Sequence, residues 1–158
     1  MAKSFTTGGD GLARYLKKTR QNAAKQPVVT VGFHDPAMSA IAVVHEFGAG
    51  RVPERPAFRL GVDQAERHWE RNKPSVFRTG QDAVRHGSGV DDAKLTALAI
   101  ELRDIIRQAY HDFHGAPLSE RQRQRKAGTS YADEQLIGAE GPKLIGHIHA
   151  EVNGQQVG

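Results

Sequence analysis

The chain contains no cysteine. That absence removes disulfides, thiolate metal sites and cysteine nucleophiles together, and it fits a reducing cytoplasm. Long apolar runs are missing too. The longest, AIAVV at residues 40–44, is far below the roughly 18 residues a membrane span needs, so no membrane partner is expected. The opening MAKSFTTGGDG has no apolar h-region, and no secretory signal is expected from it. Aromatic residues are scarce at 6%, with one tryptophan, and none interleave with the basic residues in the way that base-stacking single-strand binders require. No internal repeat is present.

Catalytic signatures are similarly thin. No serine occupies a G-x-S-x-G elbow. The glycine clusters GGDG and HGSG lack the lysine and following helix of a phosphate loop. HEFGAG lacks the second histidine of the HExxH zinc helix. His147 and His149 alternate along an expected strand, and with His34, His45 and Glu46 they could be assembled into a zinc hydrolase site on paper. Two alternating histidines are more simply a strand's solvent face, and neither catalytic residues, a metal site nor a cofactor is assigned. The pair Asp91 and Asp92 reads as a helix start, where carboxylates meet the positive end of the helix dipole.

What remains is the balance of a globular domain. The 158 residues suit one well-cored domain spanning 1–158, with 38% hydrophobic and 25% charged residues. The net charge of +4 admits a nucleic-acid or acidic-protein partner as readily as a solvated basic face.

Patterning predicts the elements. Asp10 caps a helix over 11–23, with Leu12, Tyr15, Leu16 and Thr19 inward. PVVTVGF is a β-branched strand. Asp35 and Pro36 open a short helix over 37–46, with a strand as the rival reading; its inner stripe would be Met38, Ile41 and Val44 or His45, and Gly48 would end it. Pro53 and Pro56 forbid regular structure through RVPERP. Pro56 opens the next helix, striped by Phe58, Val62, Ala65 and Trp69, and a short helix then breaks at Gly87 and Gly89. Leu95, Leu98, Leu102, Ile105, Ala109 and Phe113 give the strongest periodicity, a long helix over 92–113 capped by Asp91. Residues 115–142 carry no period and read as a flexible basic arm. Leu144, Ile148, Ala150 and Val152 alternate as a half-buried strand, and Asn153-Gly154 is a tight hairpin pair. The fold class is therefore α+β: a small antiparallel or mixed sheet packed against several helices.

Three motifs stand out in order. The first is HEFGAGRVPERPAFR, with Glu46, Phe47, Gly48, Arg51, Pro53, Glu54, Arg55, Pro56, Phe58 and Arg59. The second is APLSERQRQRKAG, in which Arg121, Arg123, Arg125 and Lys126 are opposed only by Glu120. The third is PKLIGHIHAEV.

Together they resemble the neck or tail-completion proteins of long-tailed bacteriophages and prophages. That family commonly shows E-F-G, a gap, then I-P-x-R-P-F and a basic residue; a P-L-S followed by a basic run ending K-x-G; and P-L-I-D-T-G before a strand. Here Ala57 is inserted before Phe58, and Gly146 and His147 replace Asp and Thr. The resemblance spans roughly residues 28–152.

It implies a structural virion protein of the head–tail connector region, made in the host cytoplasm, and not an enzyme. It implies a ring of copies, hexamer or dodecamer, contacting head-completion or connector proteins and the tail terminator or tail tube. A tail terminator is the neighbouring alternative. A non-specific DNA-binding protein using the arginine-rich loop is the alternative of another class. On this reading the bend at 53–56 is a fixed elbow presenting Glu54, Arg55 and Arg59 to a neighbour, while Arg121, Arg123, Arg125 and Lys126 form a docking arm or line a lumen through which genomic DNA passes. The competing reading is that Glu46 pairs with Arg55 or Arg59 inside the monomer and only holds the bend.

Overall fold

The β-branched run after Pro27 does form a strand, and the sheet is built on it. A computed structural model of the chain describes residues 13, 14, 17, 20, 21, 27–115, 117–130, 132, 136 and 143–158, with backbone only at 84 and 143. Strand β1 is Val29–Phe33, β2 is Ile148–Val152 and β3 is Gln155–Val157, in the order β1-β2-β3 and antiparallel throughout. Val31 lies opposite Ala150, and Ala150 opposite Val157. Asn153 and Gly154 join β2 to β3 with φ of 53° and 79°, the doubly left-handed turn whose twist matches the strands it connects. Ile148, Ala150 and Val152 are buried while His149 and Glu151 are half-buried, so one face of β2 is core and the other looks outward.

Helices cover the buried face. In chain order they are α1 (Pro36–Phe47), α2 (Ala57–Val76), α3 (Gly80–His86), α4 (Asp92–His111), α5 (Glu120–Lys126) and α6 (Lys143–Gly146). The long apolar stripe makes α4 the central support. Leu95, Leu98, Ala99, Leu102, Ile106, Ala109 and Tyr110 are buried on it, and each large aliphatic contributes about 1.5–3 kcal/mol. The Asp91 side chain caps α4 by accepting from the Lys94 N–H at 3.3 Å. That hydrogen bond, with Arg78 nearby, outweighs desolvation and holds the Asp91 carboxyl below its ordinary range.

Helix α2 lies along α4 and meets it at Gly61. A Cβ placed there would stand 3.0 Å from the Ile106 Cα, so the two backbones touch. Pro74 falls in the last turn of α2, where the helix runs only two residues further. The core forms two clusters, one around Leu102, Ile106, Tyr110 and Ile148, the other around Val76, Leu95, Leu98 and Ala150. Val29, Val31 and Trp69 border both. Among the described residues no helix is long and apolar enough to cross a membrane.

Residues 36–47 are helical, as favoured over the strand. The elements depart from expectation in three places. The expected strand over 144–152 begins only at Ile148, because Lys143–Gly146 closes a helical turn that buries Leu144 and Ile145. The long helix stops at His111, and Phe113 is buried just beyond it. The stretch read as structureless contains α5, which Ser119 starts with a capping box: its hydroxyl accepts from the Gln122 N–H, and Gln122 Oε1 accepts from the Ser119 N–H. The predicted helix over 11–23 has its cap and inner stripe outside the described residues.

Candidate functional site

The bend after α1 is held by a few short contacts. Gly48 ends the helix with φ of 70°, and a Cβ there would come within 3.0 Å of the Val52 carbonyl oxygen and 3.1 Å of the Glu54 nitrogen. Glycine is therefore required twice, for conformation and for space. Ala49 and Val52 exchange backbone hydrogen bonds at 3.1 and 2.9 Å, and the Arg55 N–H donates to the His45 carbonyl at 2.7 Å. Two prolines fix φ between these ties.

Glu46 joins the bend to the helix beyond it. Pro56 offers no side chain to cap α2. The Glu46 carboxylate does so from a distance, accepting from the N–H groups of Phe58 and Arg59, each at 3.2 Å. This places a negative charge at the positive end of the α2 dipole and satisfies two otherwise orphaned donors. Arg59 completes the clamp, with Nε 3.4 Å from Glu46 and Nη2 2.7 Å from Glu54. Burial, and then the Glu46 charge, push the Tyr110 phenol well above its ordinary range.

The candidate residues accordingly divide. Arg55 is 3% exposed, so it is not displayed beside Glu54 and Arg59 as the elbow reading required, and Glu46, also a candidate interface residue, is 7% exposed. Glu46 pairs with Arg59 inside the chain, which is the competing expectation. Arg55 is not its partner. The Arg55 Nε is buried without a hydrogen-bond partner beside His45, whose Nδ1 is in the same condition. Desolvation lowers the pKa of both groups, and the Arg55 charge lowers that of His45 further. Arg51, Pro53, Glu54, Phe47 and Arg59 are exposed; Pro56 and Phe58 are half-buried, with the Phe58 ring 5.5 Å from that of Phe33.

Helix α1 also faces differently from its predicted stripe. Ala42 and Glu46 are its buried residues, while Ile41 and Val44, placed inward by spacing, are exposed. With Val43 at 53% and Phe47 at 66% exposure they form an apolar outer face. An open hollow of about 520 Å³ runs beneath it, lined by Phe33, Ala42, Val43, Phe47, Phe58 and Val62. The signal missed in the sequence was the i, i+4 spacing of Met38, Ala42 and Glu46, disguised because its last member is charged.

In the basic segment, Arg121, Arg123 and Arg125 are exposed on α5, and Arg123 is paired with Glu120 at 2.7 Å. Lys126 is 4% exposed and does not belong to any displayed basic surface. The His149 ring stands 6.3 Å from that of His34 and 6.4 Å from that of His147, with His34 held by Glu151 at 2.6 Å and His149 by Gln156 at 3.0 Å. Among the described residues no group of three or more histidine, aspartate or glutamate side chains is arranged to hold a metal ion.

Comparison with protein-family models, curated proteins and solved structures finds no match for this chain.

Proposed function

We propose that the chain is a structural subunit of a bacteriophage neck, a tail-completion protein that joins the tail to the head connector by assembling into a ring. The observation that carries this reading is the outer face of α1. Ile41, Val43, Val44 and Phe47 are exposed together on the helix that enters the motif-bearing bend. Single exposed apolar residues are ordinary, but a row of four on one helix marks a surface meant to be covered. Glycine, two prolines and the Glu46–Arg59 clamp hold that row in one orientation, so little entropy is lost when a neighbour docks. Glu54, Arg51 and Arg59 border it and supply the polar rim such an interface needs.

The test is mass photometry of the purified chain, alone and mixed with head-connector and tail proteins of a long-tailed phage. A ring or a mixed complex is expected, and Phe47→Ser with Val43→Ser abolishes it. A chain that stays monomeric in every mixture removes the proposal.

A further inference from the structure

We infer that the outer edge of β1 is a strand-acceptor site for an extended segment of a partner protein, one carrying apolar side chains at every second residue. The inference is independent of the neck reading. β1 is an outside strand of the sheet, and its ladder to β2 fixes which groups are free. Asn153 N–H donates to the Val28 carbonyl at 2.8 Å, so Val28, Thr30 and Gly32 bond to β2, by the alternation of an antiparallel pair. The N–H and C=O groups of Val29, Val31 and Phe33 therefore point away from the sheet, and among the described residues none of them has a partner. Three donor–acceptor pairs at two-residue spacing match the backbone of another strand and little else.

Residues 29–33 contain no lysine, proline, bulge or inward charge, devices that keep strand edges from pairing. Beside β1 run two hollows. One, of about 490 Å³, is lined by Val29, Val31, Val62, Ala65, Trp69 and Ile106. The other is the hollow under α1, which Phe33 and Val62 also line. Val62 lines both, so together they form a largely apolar trench beside β1 and α2, with Glu66 in one hollow and Glu46 and Arg59 in the other. A strand added there would direct alternate side chains into it.

The chain's own strands suit this trench poorly. β3 is three residues long and offers Gln155 and Gln156. Two copies of β1 pairing about a two-fold axis would bring both α2 helices over the same strip. A separate extended segment meets neither obstacle.

The sole tryptophan, Trp69, lines the trench and reports on it. The probe is a capped heptapeptide of alternating threonine and valine, titrated into the full chain. Saturable change in Trp69 emission is expected, with slowed hydrogen exchange at the Val29, Val31 and Phe33 amides. Val31→Pro removes one outward N–H and no bond to β2; it should weaken binding about tenfold when measured well below its own melting temperature, which should fall because Val31 packs against both core clusters. Absence of binding to the unaltered chain, equal binding by Val31→Pro, or β1 edge amides already protected without peptide would each overturn the inference. A self-dimer that Val31→Pro splits would overturn it too, since a second copy would then occupy the edge. The exchange measurement needs no variant, so a folding defect in Val31→Pro leaves the question decidable.

Discussion

Along α1 the inward face carries Met38, Ala42 and Glu46, while the outward face carries Ile41, Val43, Val44 and Phe47. The charged side chain is inside and the largest apolar one is outside. Each departure has its own cause. Glu46 is tolerated inside because it meets two backbone donors and an arginine, which offsets the desolvation of a carboxylate. Phe47 is outside because the helix ends at Gly48 and none of the described residues covers that corner. The inner face thus serves the fold, and the outer face is left for something else.

Substitutions separate these roles. Glu46→Ala should have the largest effect on stability, about 3 kcal/mol, because it strips the cap of α2 and leaves the Phe58 and Arg59 N–H groups without their acceptor. For a chain of this size that lowers the melting temperature by about 10 °C, readable by calorimetry. Gly48→Ala should follow at about 2 kcal/mol, since its φ of 70° and the Val52 carbonyl 3.0 Å away both oppose a Cβ. His45→Leu should be near neutral at pH 8 and should flatten the acid side of the stability profile. Above the ordinary histidine range the imidazole is neutral folded or unfolded, and pH has no effect. Below about 6.5 the unfolded chain takes up a proton that burial and Arg55 deny to the folded chain, so stability falls with pH until that lower folded pKa is passed. Melting temperatures at pH 8 and 5.5, with and without His45, measure this. Phe47→Ser should change stability least, within about 0.5 kcal/mol, and should be visible only as lost association. A Phe47→Ser variant that unfolds readily would show the outer face to be structural after all.

Much of the scaffold was legible. Valines named β1, Asn153-Gly154 named the hairpin, and the leucine spacing of α4 named the central helix, because each signal is local and repeats along a period. The α1 stripe was not, because periodicity scores Glu46 as a solvent residue and only the fold supplies its partners. Helix α5 escaped because seven residues give too few turns for a period, although Ser119 and Gln122 had the spacing of a capping box. For the bend, the sequence held the right residues while leaving their partners open. Arg59, not Arg55, closes on Glu46, and that choice depends on how α2 begins. The trench beside β1 had no sequence signature at all, since strand order decides which strand lies at the edge.

Gly61 stands one turn into a helix about 30 Å long, at the point where α2 and α4 have their backbones in contact. The bend lies immediately before it and Trp69 two turns after it. At the other end Val76 is fully buried in the second core cluster, and its carbonyl accepts from the Asp91 N–H at the start of α4. The helix is thus anchored at both ends, and the proline-stiffened corner inherits its position from α4 rather than from the loop that forms it.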